Sequence, residues 1–194
     1  VATSRVPLDG DSVRLRASET NLGNLFADAM RADAKADITI VNSGSIRGDR
    51  VYPAGPIAKR TLVEMHPFGG VICKVSVTGN VVLQALNSAV SKMPATAGQF
   101  AQVSGLTMRV TPGAPAGSRV SDVRIGGQPL DPNRTYTVAI TDYMLKGGDD
   151  YAMFVNKPVL IGPEAGGLIV TALETFVAGR DIAPAVDGRI TMVR

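Results

Sequence analysis

Asp37-Ile-Thr-Ile-Val-Asn-Ser-Gly-Ser-Ile-Arg47 joins a short run of β-branched residues to a glycine-containing turn. The run predicts a buried strand over Ile38 to Val41, because β-branched side chains suit a packed, pleated surface. The turn then displays Asn42, Ser43, Ser45 and Arg47 at the strand end, where functional side chains are commonly carried. Gly44 permits positive φ or a close approach to a ligand. Arg47 offers a planar, permanently charged fork suited to phosphate or carboxylate. The alternative is a solvated arginine in a surface cluster with Asp49 and Arg50.

Upstream of this stretch, Val1 to Val6 reads as an extended entry, and Ser12 to Ala17 as a loop or short strand holding Arg14 and Arg16. Glu19 to Arg31 has helical spacing, with Leu22, Leu25, Phe26, Ala29 and Met30 on one face and Thr20 or Asn21 as cap. Downstream, Pro53 to Pro56 is a turn-rich link. Thr61 to His66 is a short helix stopped by Pro67. Phe68-Gly69-Gly70 is a tight loop before a strand over Val71 to Val77. A second helix follows from Asn80 to Lys92, with Val82, Leu83, Leu86 and Val90 inward, and then a loop over Pro94 to Gln99. From Phe100 the pattern turns to strands: Leu106 to Val110, Val120 to Ile125 and Thr135 to Ile140, with Gly126-Gly127 as a hairpin turn. Asp142 to Asp149 is a glycine-containing loop, Gly166 to Ala178 a third helix, and Arg189 to Val193 a closing strand. Helices and strands mix without strict alternation. This predicts one α+β domain over residues 1–194, a mixed β-sheet packed with helices.

Composition excludes several functions. Apolar content of 45% is enough for a sizeable core. Net charge is +3 with no Lys/Arg run, so a groove for a nucleic-acid polymer is not indicated, whereas a basic pocket for a small anion fits. The lone cysteine, Cys73, rules out an internal disulfide and reads as a buried apolar residue. No segment has the length of a membrane span, and no signal peptide is recognisable. A start at Val1 without Met suggests a processed or excised piece. His66 is the only histidine, and Glu-Met-His-Pro does not supply the clustered ligands of a metallohydrolase, so His66 reads as structural. No nucleophile elbow or phosphate-cradling P-loop is present.

Binding chemistry is better represented. Aromatic residues make up only 5% of the chain, with no Trp, so Phe68 and Tyr143 in polar loops stand out. If the glycine-containing loops converge, they supply two rings for a flat heterocycle, and stacking is worth about 1–3 kcal/mol per base. Asp149 would suit a ribose diol, since a carboxylate accepts two hydrogen bonds. Arg16 and Arg47 would suit phosphate. Against this, Phe68 before Gly-Gly also reads as a buried staple, and Asp149 with Asp150 as a solvated helix cap.

Glu19-Thr-Asn-Leu-Gly-Asn24, Asn42-Ser-Gly-Ser-Ile-Arg47, Pro67-Phe-Gly-Gly70, Thr78-Gly79 and Gly147-Gly-Asp149 follow one another as in the 5'-nucleotidase C-terminal domain, and from about Arg14 to the end the chain resembles that family. The resemblance implies the substrate-binding half of a two-domain phosphohydrolase. Its partner in cis would be an N-terminal metallophosphoesterase domain holding a dinuclear divalent metal site, such as zinc or manganese, and the catalytic residues. No cofactor is implied for this domain, and no catalytic residue. The C-terminal half would carry the nucleotide to the metals by a hinge rotation. By resemblance, Arg16 and Arg47 would face phosphate and Asn42 the nucleoside or phosphate region. Phe68 and Tyr143 would sandwich the base, Asp149 would take the ribose hydroxyls, and Gly98 would line the base pocket. Ser43 stands where the family loop has glycine, Tyr143 where Phe is common, and Gly70 where some members place a base-contacting Asn. Ser12 and Ser18 fall where different members carry another arginine. A periplasmic, cell-wall-associated or secreted setting is implied. A stand-alone, non-catalytic nucleoside- or nucleotide-binding module is the alternative.

Overall fold

The structure, a computed structural model, describes residues 1–193. In chain order the elements are β1 (Ala2–Ser4), β2 (Leu8–Gly10), α1 (Ser12–Leu15), α2 (Asn21–Ala34), β3 (Ile38–Asn42), β4 (Arg50–Tyr52), β5 (Gly55–Ile57) and α3 (Lys59–Met65). There follow β6 (Ile72–Thr78), α4 (Gly79–Ala89), β7 (Ala101–Ser104), β8 (Leu106–Val110), β9 (Val120–Ile125), β10 (Gln128–Pro129) and β11 (Thr135–Thr141). The chain closes with α5 (Asp142–Leu145), β12 (Val159–Ile161), α6 (Ile169–Val177), β13 (Asp181–Ile182) and β14 (Ile190–Met192).

A five-stranded sheet in the order β12-β6-β11-β3-β7 lies at the centre. It is mixed: β11 runs parallel to β3, while β6 pairs antiparallel with β11 and β7 antiparallel with β3. Both faces are covered. Ile38, Ile40, Val75, Val138 and Ile140 pack toward α4 and the four-stranded sheet β10-β9-β8-β14. Val41, Ile72 and Ala139 pack on the opposite side with α2, α3 and α6. Burial on both faces is why every residue of β3, Thr39 included, is buried rather than every second one. Burying one Leu of α4, Leu86, contributes about 1.5–3 kcal/mol.

Local chemistry explains the element ends. Thr20 caps α2, its hydroxyl accepting from the Gly23 amide at 3.0 Å. The helix stops at Lys35, in the left-handed region at φ 48°. All five apolar residues assigned to its face are buried. Gly126 and Gly127, both at positive φ, form the β9–β10 turn, as a tight hairpin requires.

Some expectations are corrected. Ser12 to Ala17 holds neither a loop nor a strand at its start but the single-turn α1, nucleated by Asp11, whose side chain accepts from the Arg14 amide at 3.0 Å. Asp142 to Asp149 is not a plain loop: it opens with α5, capped by the Thr141 hydroxyl. The third helix begins at Ile169, not Gly166, because Gly166 packs against the β6 backbone, where a Cβ would meet the Ile72 carbonyl oxygen at 2.2 Å. A separate strand, β7, precedes Leu106, and the Pro53 to Pro56 link runs into β5.

Candidate functional site

Topology gathers the glycine-containing loops. Parallel β3 and β11 end on the same side of the sheet, at Asn42 and Thr141. Antiparallel β6 and β7 begin on that side, since Thr141 pairs with Ile72 and Asn42 with Ala101. The segments carrying Ser43–Arg47, Phe68–Gly70, Gly98 and Tyr143–Asp149 therefore emerge together, at the carboxyl ends of the parallel pair, where open sheets commonly bind ligands.

Between them lies a cavity of about 490 Å³, within the usual range for a small-molecule site. Arg16, Asn42, Arg47, Phe68, Gly98, Tyr143 and Asp149 all line it, so the structure brings the sequence-derived candidates into one place. Phe68 and Tyr143 are 57% and 52% exposed, which rules out the buried-staple reading of Phe68. Asp149 is no helix cap. At φ 54°, it accepts a hydrogen bond from Asn42 Nδ2 at 2.7 Å through Oδ2, and one from the Tyr143 hydroxyl at 3.4 Å through Oδ1. Asn42 is fixed from below, its Oδ1 accepting from the Ser45 hydroxyl at 2.5 Å.

Arg47 does not join a surface cluster. Arg50 pairs with Glu64 at 2.7 Å, and Asp49 accepts from the Ser12 amide at 2.9 Å. Arg47 Nε instead donates to the Gly44 carbonyl at 3.0 Å, and its guanidinium lies 4.9 Å from the centre of the Phe68 ring. Arg16 follows α1, and its Nε is buried with no hydrogen-bond partner. Its segment is tied to the sheet by Gln102, whose Nε2 donates to the carbonyls of Leu15 and Ser18 at 3.0 and 2.8 Å. Gly44 and Gly98 allow their backbones to touch: the Gly44 amide donates to the Gly98 carbonyl at 2.8 Å, and a Cβ on Gly44 would meet Asp149 Oδ2 at 3.2 Å.

Sequence reasoning missed two polar residues of this wall. His66, read as structural, is buried and borders the cavity with Nδ1 at 2.8 Å from the Ser45 carbonyl. Burial lowers its pKa from the ordinary 6.5 and outweighs the opposing pull of Ser45 and Asp142, so the ring is neutral at neutral pH. Asp142 lines the same wall and bridges the two ring-bearing loops. Its amide donates to the Val71 carbonyl at 3.1 Å, and its carboxylate accepts from the Val71 amide at 3.3 Å. Its placement directly before Tyr143 was the available signal. Elsewhere, Cys73 is buried, its thiol pKa pushed up to about 11 by desolvation. Among the described residues no three His, Cys, Asp or Glu side chains gather as a metal site, and no helix is long and apolar enough to cross a membrane.

Comparison with known proteins finds relatives of the whole fold. The profile of the family described as 5'-nucleotidase, C-terminal domain, matches residues 1–156. A 5'-nucleotidase of Vibrio cholerae is 35% identical over 158 residues, covering 81% of this chain and 27% of that protein. Protein 5NUC of Lutzomyia longipalpis is 34% identical over the whole chain, which spans 38% of its length. The crystal structure of a 5'-nucleotidase precursor from Thermus thermophilus superposes with a TM-score of 0.92 at 30% identity, over 100% of this chain and 39% of that one. The chain thus spans between about a quarter and two-fifths of the length of these relatives.

Proposed function

The chain belongs to the 5'-nucleotidase C-terminal domain family, and from that premise we propose that it is the nucleotide-binding domain of a two-domain, metal-dependent 5'-nucleotidase-type phosphohydrolase. One observation carries the proposal: two half-exposed rings, a carboxylate and two arginines line a single cavity of about 490 Å³. In this reading the base lies between Phe68 and Tyr143. Asp149, held by Asn42, accepts hydrogen bonds from the ribose hydroxyls. Arg16 and Arg47 bind phosphate through charge-assisted hydrogen bonds. Arg16 Nε, buried without a partner, is an orphan donor of the kind a phosphate oxygen would satisfy.

The described residues of this chain do not assemble a ligand set for the metal pair that the family resemblance implies, so those ligands are assigned to an N-terminal metallophosphoesterase domain in cis. A metal pair there would supply an activated water and charge stabilisation at phosphorus. This chain's residues bind the nucleotide, orient it and present its phosphate. The proposal places the whole protein in nucleotide catabolism, in a periplasmic, cell-wall-associated or secreted setting.

Calorimetry with AMP tests the reading. Phe68→Ala and Tyr143→Ala should each lose on the order of 1–3 kcal/mol of binding. Equal affinity for wild type and both variants would refute the base sandwich.

A further inference from the structure

On the cavity wall between the two ring-bearing loops, His66 and Asp142 both present acceptors. His66 Nδ1 faces the Ser45 carbonyl, which can only accept, so Nδ1 carries the ring proton. In the neutral ring Nε2 is then a bare acceptor. It has no hydrogen-bond partner although the side chain is only 3% exposed, and buried polar atoms are normally satisfied. The Asp142 carboxylate is the neighbouring group. One backbone amide at 3.3 Å uses part of its accepting capacity and leaves the rest facing the cavity.

Gly70 brings these acceptors to one spot. A side chain on Gly70 would begin 3.0 Å from His66 Nε2 and 3.5 Å from Asp142 Oδ1. With only hydrogen there, the space beside its α-carbon is flanked by both groups. Gly70 stands two residues beyond Phe68 and Asp142 directly before Tyr143, and all four residues line the same cavity.

We propose that Asp142 and His66 read the edge of the base and select nucleotides whose base carries an exocyclic amine over those carrying a carbonyl at the same ring position. The proposal rests on the nucleotide-binding reading above. An amine donates to the carboxylate and to Nε2. The carbonyl of an oxo base has nothing to donate at that position and sets its lone pairs against theirs, and only the ring N–H beside it remains as a donor. A site built from buried acceptors rejects a ligand that lacks the donor far more strongly than an apolar site can.

The test is calorimetric titration of the chain with AMP, IMP, CMP and UMP, in which the exocyclic amine becomes a carbonyl and the adjacent ring nitrogen turns from acceptor to N–H donor. Purine riboside 5'-monophosphate is titrated with them; it loses the amine without gaining a ring donor and should likewise bind more weakly than AMP. The wild type should bind AMP over IMP, and CMP over UMP, by on the order of tenfold or more. Asp142→Asn keeps the size but adds a donor, so it should bring the AMP:IMP ratio close to unity. Gly70→Ala, which fills the niche, should do the same and decides the matter if Asp142→Asn fails to fold. A purely structural role for Asp142 would lower affinity for both nucleotides and leave their ratio alone. Equal binding within both pairs by wild type, or a ratio kept in whichever variant folds, overturns the amine reading while leaving nucleotide binding intact. Absence of Phe68-dependent binding of every nucleotide overturns the nucleotide-binding reading itself, and this one with it.

Discussion

Arg47 meets two groups with different demands. Its Nε is committed to the Gly44 carbonyl, and its guanidinium face lies over Phe68 at 4.9 Å, leaving the terminal nitrogens for an anion. A phosphate held by this fork forms charge-assisted bonds that salt weakens. Arg47→Ala should therefore weaken AMP far more than adenosine, and the gap should narrow as salt rises. Arg47→Lys keeps the charge but loses the planar fork, and should recover only part of the loss. Titrations of both ligands at two salt concentrations check this; an unchanged AMP-to-adenosine ratio in Arg47→Ala would remove Arg47 from the phosphate site. At this scale the sequence was informative wherever a residue was conspicuous by type. A ring in a polar loop, an arginine after a strand and an aspartate after Gly-Gly all line the cavity. His66 and Asp142 were obscured because they lie far apart in the chain and come together only in the fold, on either side of Gly70.

Elements hold these residues through a few buried bonds. Gln102, on β7 and fully buried, donates to Leu15 and Ser18 and accepts from the Thr20 amide at 3.3 Å, so one side chain fastens the Arg16 segment and the start of α2 to the sheet. Gly23 allows this approach, since a Cβ there would fall 2.3 Å from the Gln102 side chain. Gln102→Ala leaves the Leu15 carbonyl with the Ser43 hydroxyl but takes the side-chain partner from the Ser18 carbonyl and the Thr20 amide, and should destabilise the fold by about 1–3 kcal/mol, read from urea unfolding. It should also weaken AMP more than adenosine, because Arg16 loses its support. Stability lost with no change in the ratio of the two affinities would confine Gln102 to the fold. The helix over α2 was legible from period and cap, and β3 from its apolar run. The single turn of α1 was not, because four residues carry no periodicity and only the Asp11 cap marks them.

For the molecule as a whole, mixed strand pairing is the decisive fact. The sequence indicated an α+β fold and its strands one by one. That β3 and β11 run parallel with β6 antiparallel beside them is a long-range choice that no local pattern encodes. That pairing turns scattered loops into one cavity. The same view separates binding from turnover. The chain should not hydrolyse AMP, a cyclic nucleotide or UDP-glucose, with or without added zinc or manganese, because its described residues do not gather a metal-ligand set. Phosphate release from a preparation free of contaminating phosphatase, dependent on added metal, would overturn this.

The distribution of aromatic rings has an optical consequence. The chain has four tyrosines and no tryptophan, so its near-ultraviolet emission belongs to tyrosine alone. Tyr52, Tyr136 and Tyr151 are 5%, 3% and 0% exposed, sealed in the interior, whereas Tyr143 is 52% exposed on the cavity wall. A dissolved collisional quencher such as iodide should therefore extinguish one emitter and spare the others. Anything that settles against Tyr143 should shield it from the quencher, so the unlabelled protein carries its own occupancy gauge at the one position where occupancy matters.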